Sequence, residues 1–507
     1  MKHIARSTLI LALFFGVDKG LALIRQFVIA RQFQLSAELD AFNAANNLPD
    51  LLFALISGGA LAIAFIPVLS QYLERQGRAS AWDLFSRIAN LAFLVTALLS
   101  VAVALLAEPL VRWELGIAPG FGASQQDLVA ELMRLNLVAT LIFSISGLVM
   151  AGLQTHQHFL LPAMAPALYN VGQIFGAMVL APDTGYSFGP LTLPAFGMGV
   201  HGLVYGVMVG AALHLIIQLP GLLYYKFRWT PAINLRHPGV VQVLTLMGPR
   251  LTTMFLIQLT FLARDNLASR LGTGAVSALT YGWFIMQVPE TLIGTALATV
   301  LLPTLSEQMA RGDRPAFRRT INHALRVITA LTLPVAALLM ITLKPLVGIL
   351  GFDAEGTELV TWATRAYLLG LPGHALLEIS ARSFYAQQNA RTPLKTSLVR
   401  FIIYVAGGIL LARPLGAAGI ALADSLAVTS EALLQLFLLN RQMPGLVQIN
   451  GTLGRVALVT GAGALLAAFL MIFIPLPALP LALGALALGG LAVLPFIWTE
   501  IKLAVKL

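Results

Sequence analysis

Asp18, Lys19 and Arg25 stand in GVDKGLALIRQ, residues 16–26, inside an apolar stretch that runs from about Thr8 to Phe33. On a helical wheel with Asp18 at 0°, Arg25 falls at about −20°, Ala22 at about 40°, Gln26 at about 80° and Lys19 at about 100°. The polar groups share an arc of about 120° with a small residue at its centre; the rest of the wheel is apolar. An ionised group at this depth of a bilayer is costly unless water or a partner solvates it. Two chemistries follow. The arc is the wall of a cationic cavity that meets an anion, Lys19 as a point charge and Arg25 as a fork matched to phosphate, or it belongs to a structural ion-pair network between helices. Asp18 and Arg25 are two turns apart, too far for direct contact along one helix.

Arg250, after Met247-Gly248-Pro249, offers a third base in a later apolar segment. Arg264 beside Asp265, and Arg400 with Asp424, read as structural pairs. Pro49 and Ser57-Gly58-Gly59 interrupt one segment, Pro289 and Gly294 another; such breaks free backbone groups that a neighbour or a cavity must satisfy, and each is a hinge or a static kink. No catalytic constellation appears, so a transporter is expected rather than an enzyme. His156 and His158 share a loop, where solvated side chains are expected, and no carboxylate spacing completes a metal site. Cysteine is absent, which excludes disulfides and thiolate metal sites. No cofactor is expected.

The elements that position these groups are membrane helices. Of 507 residues 58% are hydrophobic and 11% charged, too few charges to cover a soluble surface. Apolar segments long enough to cross about 30 Å of hydrocarbon follow one another without a soluble domain between them. Fourteen spans are predicted: 8–33, 40–72, 88–107, 128–152, 159–181, 197–224, 240–269, 273–305, 324–350, 360–386, 393–412, 415–440, 453–475 and 479–503. The first is too long and too charged for a cleavable signal peptide. Nineteen Lys and Arg lie at the N-terminus, in alternate connections and at the C-terminus, against five (Arg31, Arg112, Arg270, Lys344, Arg413) in the others. The positive-inside rule then places both termini in the cytoplasm. The net charge of +10 meets anionic inner-leaflet lipids rather than nucleic acid.

Residues 58–78, GGALAIAFIPVLSQYLERQGR, repeat as 294–314, GTALATVLLPTLSEQMARGDR, with Pro67 matching Pro303 at an offset of 236. A weaker echo pairs 152–162, GLQTHQHFLLP, with 383–393, SFYAQQNARTP, at an offset of 231. Spans 1–6 therefore resemble spans 7–12 in the same orientation, the arrangement of transporters whose substrate sits between two lobes. The expected fold is an all-α polytopic membrane protein: an N-lobe over 1–225, a C-lobe over 226–442, and a pair of extra helices over 443–507.

LDAFNAANNLPDLL (39–52), GGALAIAFIPVLS (58–70), PAMAPALYN (162–170), GAVSALTYGWFIMQVPETLIGTALATVLLPTLS (274–306) and FYAQQNARTP (384–393) resemble the MurJ (MviN) family of lipid II flippases. That family shares a superfamily with the MATE drug exporters and the polysaccharide-lipid flippases. The resemblance covers essentially the whole chain and implies fourteen helices, the last pair forming a groove for an isoprenoid tail. It implies substrate contacts at Lys19, Arg25 and Asp40, beside Asp18 and Arg250. Phe53 and Phe284 stand where the family has cavity arginines, and Gly58 where it has a glutamate, so this cavity is less cationic. The implied activity is flipping of a polyprenyl-pyrophosphate-linked saccharide, lipid II, by alternating access. The implied setting is a monomer in the bacterial inner membrane, coupled to membrane potential or a monovalent cation. Two other readings stand beside it: an ion-coupled exporter of small amphipathic cations, using Asp18, Asp40 and Asp265, and a non-transporting scaffold for envelope assembly.

Overall fold

The computed structural model describes the backbone of residues 2–57, 59–448 and 450–504, and the side chains within it except those of 2–12, 57, 59–63, 188, 191, 249–250, 450 and 504. Two compact units divide the chain, residues 1–266 and 267–507.

The first unit begins with α1 (Lys2–Phe33). The second apolar segment is not one rod: it comprises α2 (Ala37–Ala45), α3 (Asn47–Leu52), a π-helical turn (Phe53–Ser57) and α4 (Gly59–Gln76). Ser36 starts it, its hydroxyl accepting from the Leu39 N–H at 3.2 Å. After α5 (Arg78–Leu105), α6 (Ala107–Arg112) and α7 (Ala123–Thr155) comes α8 (Leu160–Phe175), which runs on as a second π turn, Gly176–Leu180. A short hairpin, β1 (Ser187–Phe188) with β2 (Leu191–Thr192), leads to α9 (Gly199–Ile216), α10 (Leu219–Tyr224) and α11 (Pro238–Ala268). Glycines set the α8–α9 contact: a Cβ on Gly176 would stand 2.5 Å from the Gly206 Cα, so the backbones meet with nothing between them. The core gathers α4, α5, α7 and α11 around Phe65, Trp82, Phe85 and Leu148.

The second unit holds α12 (Ala275–Glu290), a π turn (Thr291–Thr295), α13 (Ala296–Ala310), α14 (Arg314–Gly348), α15 (Ala354–Leu369), α16 (Leu371–Ala386), α17 (Arg391–Gln442), α18 (Asn450–Phe473) and α19 (Ala478–Ala504). Its core joins α13, α14, α16 and α17 around Leu301, Phe317, Ile328 and Phe384. The α18–α19 pair lies on α14 through Ala330, Val456, Val493 and Ile497. α17 is helical at both ends but not straight. Gly416 has φ 59° and ψ −141°, a conformation open to glycine. Arg400 bonds Asp424 at 3.1 Å, although 24 residues of straight helix would separate them by about 36 Å. The chain therefore reverses at Gly416 and α17 is a hairpin of two helices.

Local geometry recurs along the chain. The helices that start at Ala37 and Ala275, and the π turns that start at Phe53 and Thr291, are 238 residues apart; α5 and α14 start 236 apart. The weaker echo is a matched turn. Gln157 and Gln388 have φ of 59° and 57°. His158 N–H donates to the Leu153 carbonyl and Asn389 N–H to that of Phe384, both at 3.0 Å. This is the left-handed helix stop that satisfies terminal carbonyls. His156 is not solvated there, contrary to the sequence expectation. Its ring stacks on Trp82 at 4.7 Å and meets Tyr225 at 4.6 Å.

Among the described residues nine helices are long and apolar enough to cross a membrane, ten if the bent α11 counts as one span. Three predicted spans fall outside that set: the described part of the first, from residue 13, holds Asp18, Lys19 and Arg25 close together, the second is broken around its π turn, and 360–386 is divided at Gly370 between α15 and α16.

Candidate functional site

α8 packs along α1 and places Asn170 opposite the polar arc. The Arg25 guanidinium donates to the Asn170 side-chain oxygen at 3.0 Å, and the Asn170 amide donates to Asp18 Oδ1 at 2.8 Å. A neutral amide thus spans the two-turn gap between the charges. Lys19 Nζ lies 3.7 Å from Asp18 Oδ2 and remains 58% exposed, whereas Asp18 is 17% exposed. Asp18 tethers the lysine without enclosing it. The buried centre of the arc is Ala22, small enough for α8 to come close.

From Arg25 the polar groups continue into the second segment. The Tyr169 phenol lies within electrostatic reach of Arg25 and Asp50, and Asp50 within reach of Arg264 and Asp265. Asp265 is buried between Arg264 Nε and the Asn47 amide, each 2.7 Å away. Phe53, exposed in the π turn, meets Phe143 edge-on at 5.2 Å, and Phe143 meets Tyr169 at 5.1 Å. Asp18, Lys19, Arg25 and Phe53 therefore belong to one neighbourhood of the first unit, a basic and aromatic surface able to hold a phosphate-bearing head group.

Other expected residues lie apart or outside the description. Asp40 is fully buried on α2, its backbone N–H donating to the Ser36 carbonyl. Phe284 is half-buried on α12 of the second unit. Gly58 lies outside the described residues, as do the side-chain positions of Gly59 and Arg250. The proline breaks coincide with π turns: Pro49 is buried in α3 four residues before one, and Pro289 is next to last in α12, two residues before another. Gly294 lies inside the second, where a Cβ would stand 3.0 Å from Glu290 Oε1 and 3.2 Å from the Ala375 Cα.

Sequence reasoning missed Asn170, Tyr169 and Asp50 as members of the site. Asn170 had a signal: it is the polar end of PAMAPALYN in an apolar helix. It also missed the company of Arg400 and Asp424 in the second unit. His374 Nε2 lies 3.2 Å from Asp424 Oδ2, and Glu431 accepts from Thr396 Oγ1 at 3.0 Å and from the Gln435 amide at 3.2 Å. No group of His, Asp or Glu among the described residues is arranged to hold a metal ion.

Residues 29–490 match the family model described as lipid II flippase MurJ. The chain is 32% identical over 444 residues to the lipid II flippase MurJ of Burkholderia cenocepacia, covering 85% of this chain and 83% of that one. It is 28% identical to a probable lipid II flippase MurJ of Vibrio cholerae, covering 84% and 81%. In fold it is similar to a lipid II flippase MurJ solved in an inward closed conformation, with a TM-score of 0.81, 21% identity and coverage of 96% and 98%. It is also similar to an inward-facing MATE family transporter, with a TM-score of 0.69, 14% identity and coverage of 85% and 95%. This multi-pass, all-helical membrane protein belongs to the MurJ lipid II flippase family.

Proposed function

We propose that the protein carries lipid II, a polyprenyl-pyrophosphate-linked saccharide, from the inner to the outer leaflet of the bacterial inner membrane by alternating access. The observation that carries this is the α1 surface: Lys19 exposed beside its Asp18 tether and Arg25 oriented by Asn170, in a chain of the flippase family. The head group must cross the hydrocarbon while its tail stays in it. Lys19 and Arg25 meet the pyrophosphate beside the aromatic Phe53. The π turns after Pro49 and Pro289, with Gly58, Gly59 and Gly294, are the hinges. Fourteen spans follow from counting the reversal of α17 as two and adding the three interrupted segments and the bent α11. Spans 1–6 and 7–12 form two lobes, residues 1–225 and 226–442, and α18–α19 provide the tail groove. The protein works as a monomer with both termini in the cytoplasm and its basic connections on anionic lipids. An inside-negative potential favours inward return of the empty cationic cavity, by about 2.3 kcal/mol per charge per 100 mV.

The test is complementation of a strain depleted of its own lipid II flippase, with lipid II at the outer leaflet as readout. Rescue by the wild-type chain is expected, showing that arginines at 53 and 284 are dispensable. Failure, followed by rescue with Phe53→Arg plus Phe284→Arg, would overturn lipid II as the substrate and point to a less charged head group.

A further inference from the structure

We propose that the polar cluster buried between α12, α16 and the α17 hairpin is a proton-binding site whose occupancy sets the π turn at 291–295. Four carboxylates lie in it: Glu290 at the end of α12, Glu378 on α16, and Asp424 and Glu431 on α17. Two guanidiniums answer them. Arg400 donates to Asp424 at 3.1 Å and lies 3.9 Å from Glu431; Arg382 lies 2.9 Å from Glu378. The excess is two negative charges with His374 neutral and one with it protonated. Neighbouring charges do not correct this. On α14, Arg326 turns to Glu500 and Lys344 to Glu358; on α13, Glu307 pairs with Arg311; on α15, Arg365 donates to the Met340 carbonyl. The other ring against His374 is Trp283 at 5.4 Å. Uncompensated charge in such surroundings is neutralised by taking up a proton.

The geometry favours a proton over a metal cation. The carboxylates are already turned toward N–H and O–H donors: Asp424 toward Arg400 and His374, Glu431 toward Thr396 and Gln435, Glu290 toward the Thr295 hydroxyl at 3.1 Å. A metal ion needs several oxygens facing a vacancy; a proton needs one lone pair. Exposure falls inward from Glu378 at 35% through His374 at 11% to Asp424 at 6% and Glu431 at 4%, a graded route from water.

Both ends of the cluster touch the hinge. Arg382 donates to the Thr295 carbonyl and to Thr299 Oγ1, each at 3.2 Å, and so holds the last residue of the π turn. Glu290 holds the Thr295 hydroxyl. A proton on Glu378 removes the charge that competes with Thr295 for Arg382, so bound protons and hinge geometry are linked. The proton enters from water and leaves to water; no other bond changes.

The coupling half of the proposal rests on the flippase reading; the proton half does not. Infrared spectra of the purified full-length protein in liposomes, from about pH 5 to about pH 9, report protonated carboxyl groups without any transport. A protonated-carboxyl C=O band near neutral pH, lost in alkali and weaker in Glu378→Gln or Glu431→Gln, is expected. Absence of the band in the wild type, or its full retention in both variants, would overturn the site. Flipping of lipid II in the same liposomes should then fall about tenfold per pH unit on the alkaline side in the wild type, with a flatter profile in Glu378→Gln. Equal slopes in the two proteins would overturn the coupling. The band without any flipping by the wild type would leave the proton site standing and remove the flippase reading.

Discussion

The two units answer the same problem, ionised groups inside a membrane helix bundle, in opposite ways. In the first, a neutral amide joins Arg25 to Asp18 through Asn170, while Arg264 pairs with Asp265 directly and Asn47 takes the carboxylate's other oxygen. Lys19 keeps an exposed ammonium. In the second, carboxylates close directly on Arg400, with Asp424 and Glu431 deep in the helix packing and Glu378 nearer to water. Amide bridges orient a cation without neutralising it, which suits a surface that must accept an anion. Direct pairing offsets only part of the carboxylate charge, at the cost of leaving a stranded ion when one member is lost.

That contrast predicts its largest effect in stability. Arg400→Ala leaves Asp424 and Glu431 buried without their guanidinium and should cost about 3–5 kcal/mol, read as a lower melting temperature in detergent. Arg25→Ala should melt close to the wild type, because Asp18 keeps both Asn170 and Lys19. Equal destabilisation by the two substitutions would erase the distinction between the units.

Transport should show the reverse order. Under the proposed function Arg25→Ala removes a charge-assisted bond to the substrate's pyrophosphate, worth about 1.5–3 kcal/mol, and should slow flipping in liposomes by about 10- to 100-fold. Arg25→Lys keeps the charge but loses the fork and should retain partial activity. Wild-type flipping by Arg25→Ala would remove α1 from the substrate path.

Much of this was legible in sequence because bilayer length and helical periodicity leave few alternatives. The apolar segments, the breaks at Pro49 and Pro289 and the Arg400–Asp424 pair could each be placed from spacing alone. Asn170 could not be assigned a role, because an asparagine in an apolar helix does not say which neighbour it will bridge. His374 and Glu431 were hidden for the same reason. Their partners lie on helices brought alongside by the reversal at Gly416, and glycine marks many bends that do not reverse a chain.

The matched turns sharpen the comparison, since here the halves should behave alike. Gln157 and Gln388 both hold a left-handed conformation that costs an L-residue about 1–2 kcal/mol. Glycine relieves that cost and returns part of it through a freer unfolded chain. Gln157→Gly and Gln388→Gly should each raise stability by about 0.5–1 kcal/mol, seen as similar upward shifts in melting temperature. A gain at one site and a loss at the other would mean that the turns match in geometry but not in load.

The smallest effect should separate those turns again, through pH. The first carries His156 and His158 where the second has Gln387 and Asn389. Burial lowers the pKa of His156 below the usual histidine value, the Gly152 carbonyl opposing it and Arg78 adding to it; burial also lowers that of His158. The folded state therefore prefers neutral rings, and the unfolded chain binds more protons. This stability is fully present above the unfolded histidine pKa, about 6.5, and is lost as pH falls through it toward the lower folded values. Melting temperature should decline between about pH 7.5 and about pH 5.5, more steeply in the wild type than in His156→Gln plus His158→Gln. Glutamine suits position 156 because the second turn carries Gln387 there, and at 158 it stands for the amide of Asn389. It also leaves Trp82 and Tyr225 able to pack against the replaced side chain, so the comparison reads protonation rather than a lost contact. The same slope in both proteins would show that the histidines titrate as freely in the fold as out of it, and the stacked ring on Trp82 would then carry no preference for the neutral form.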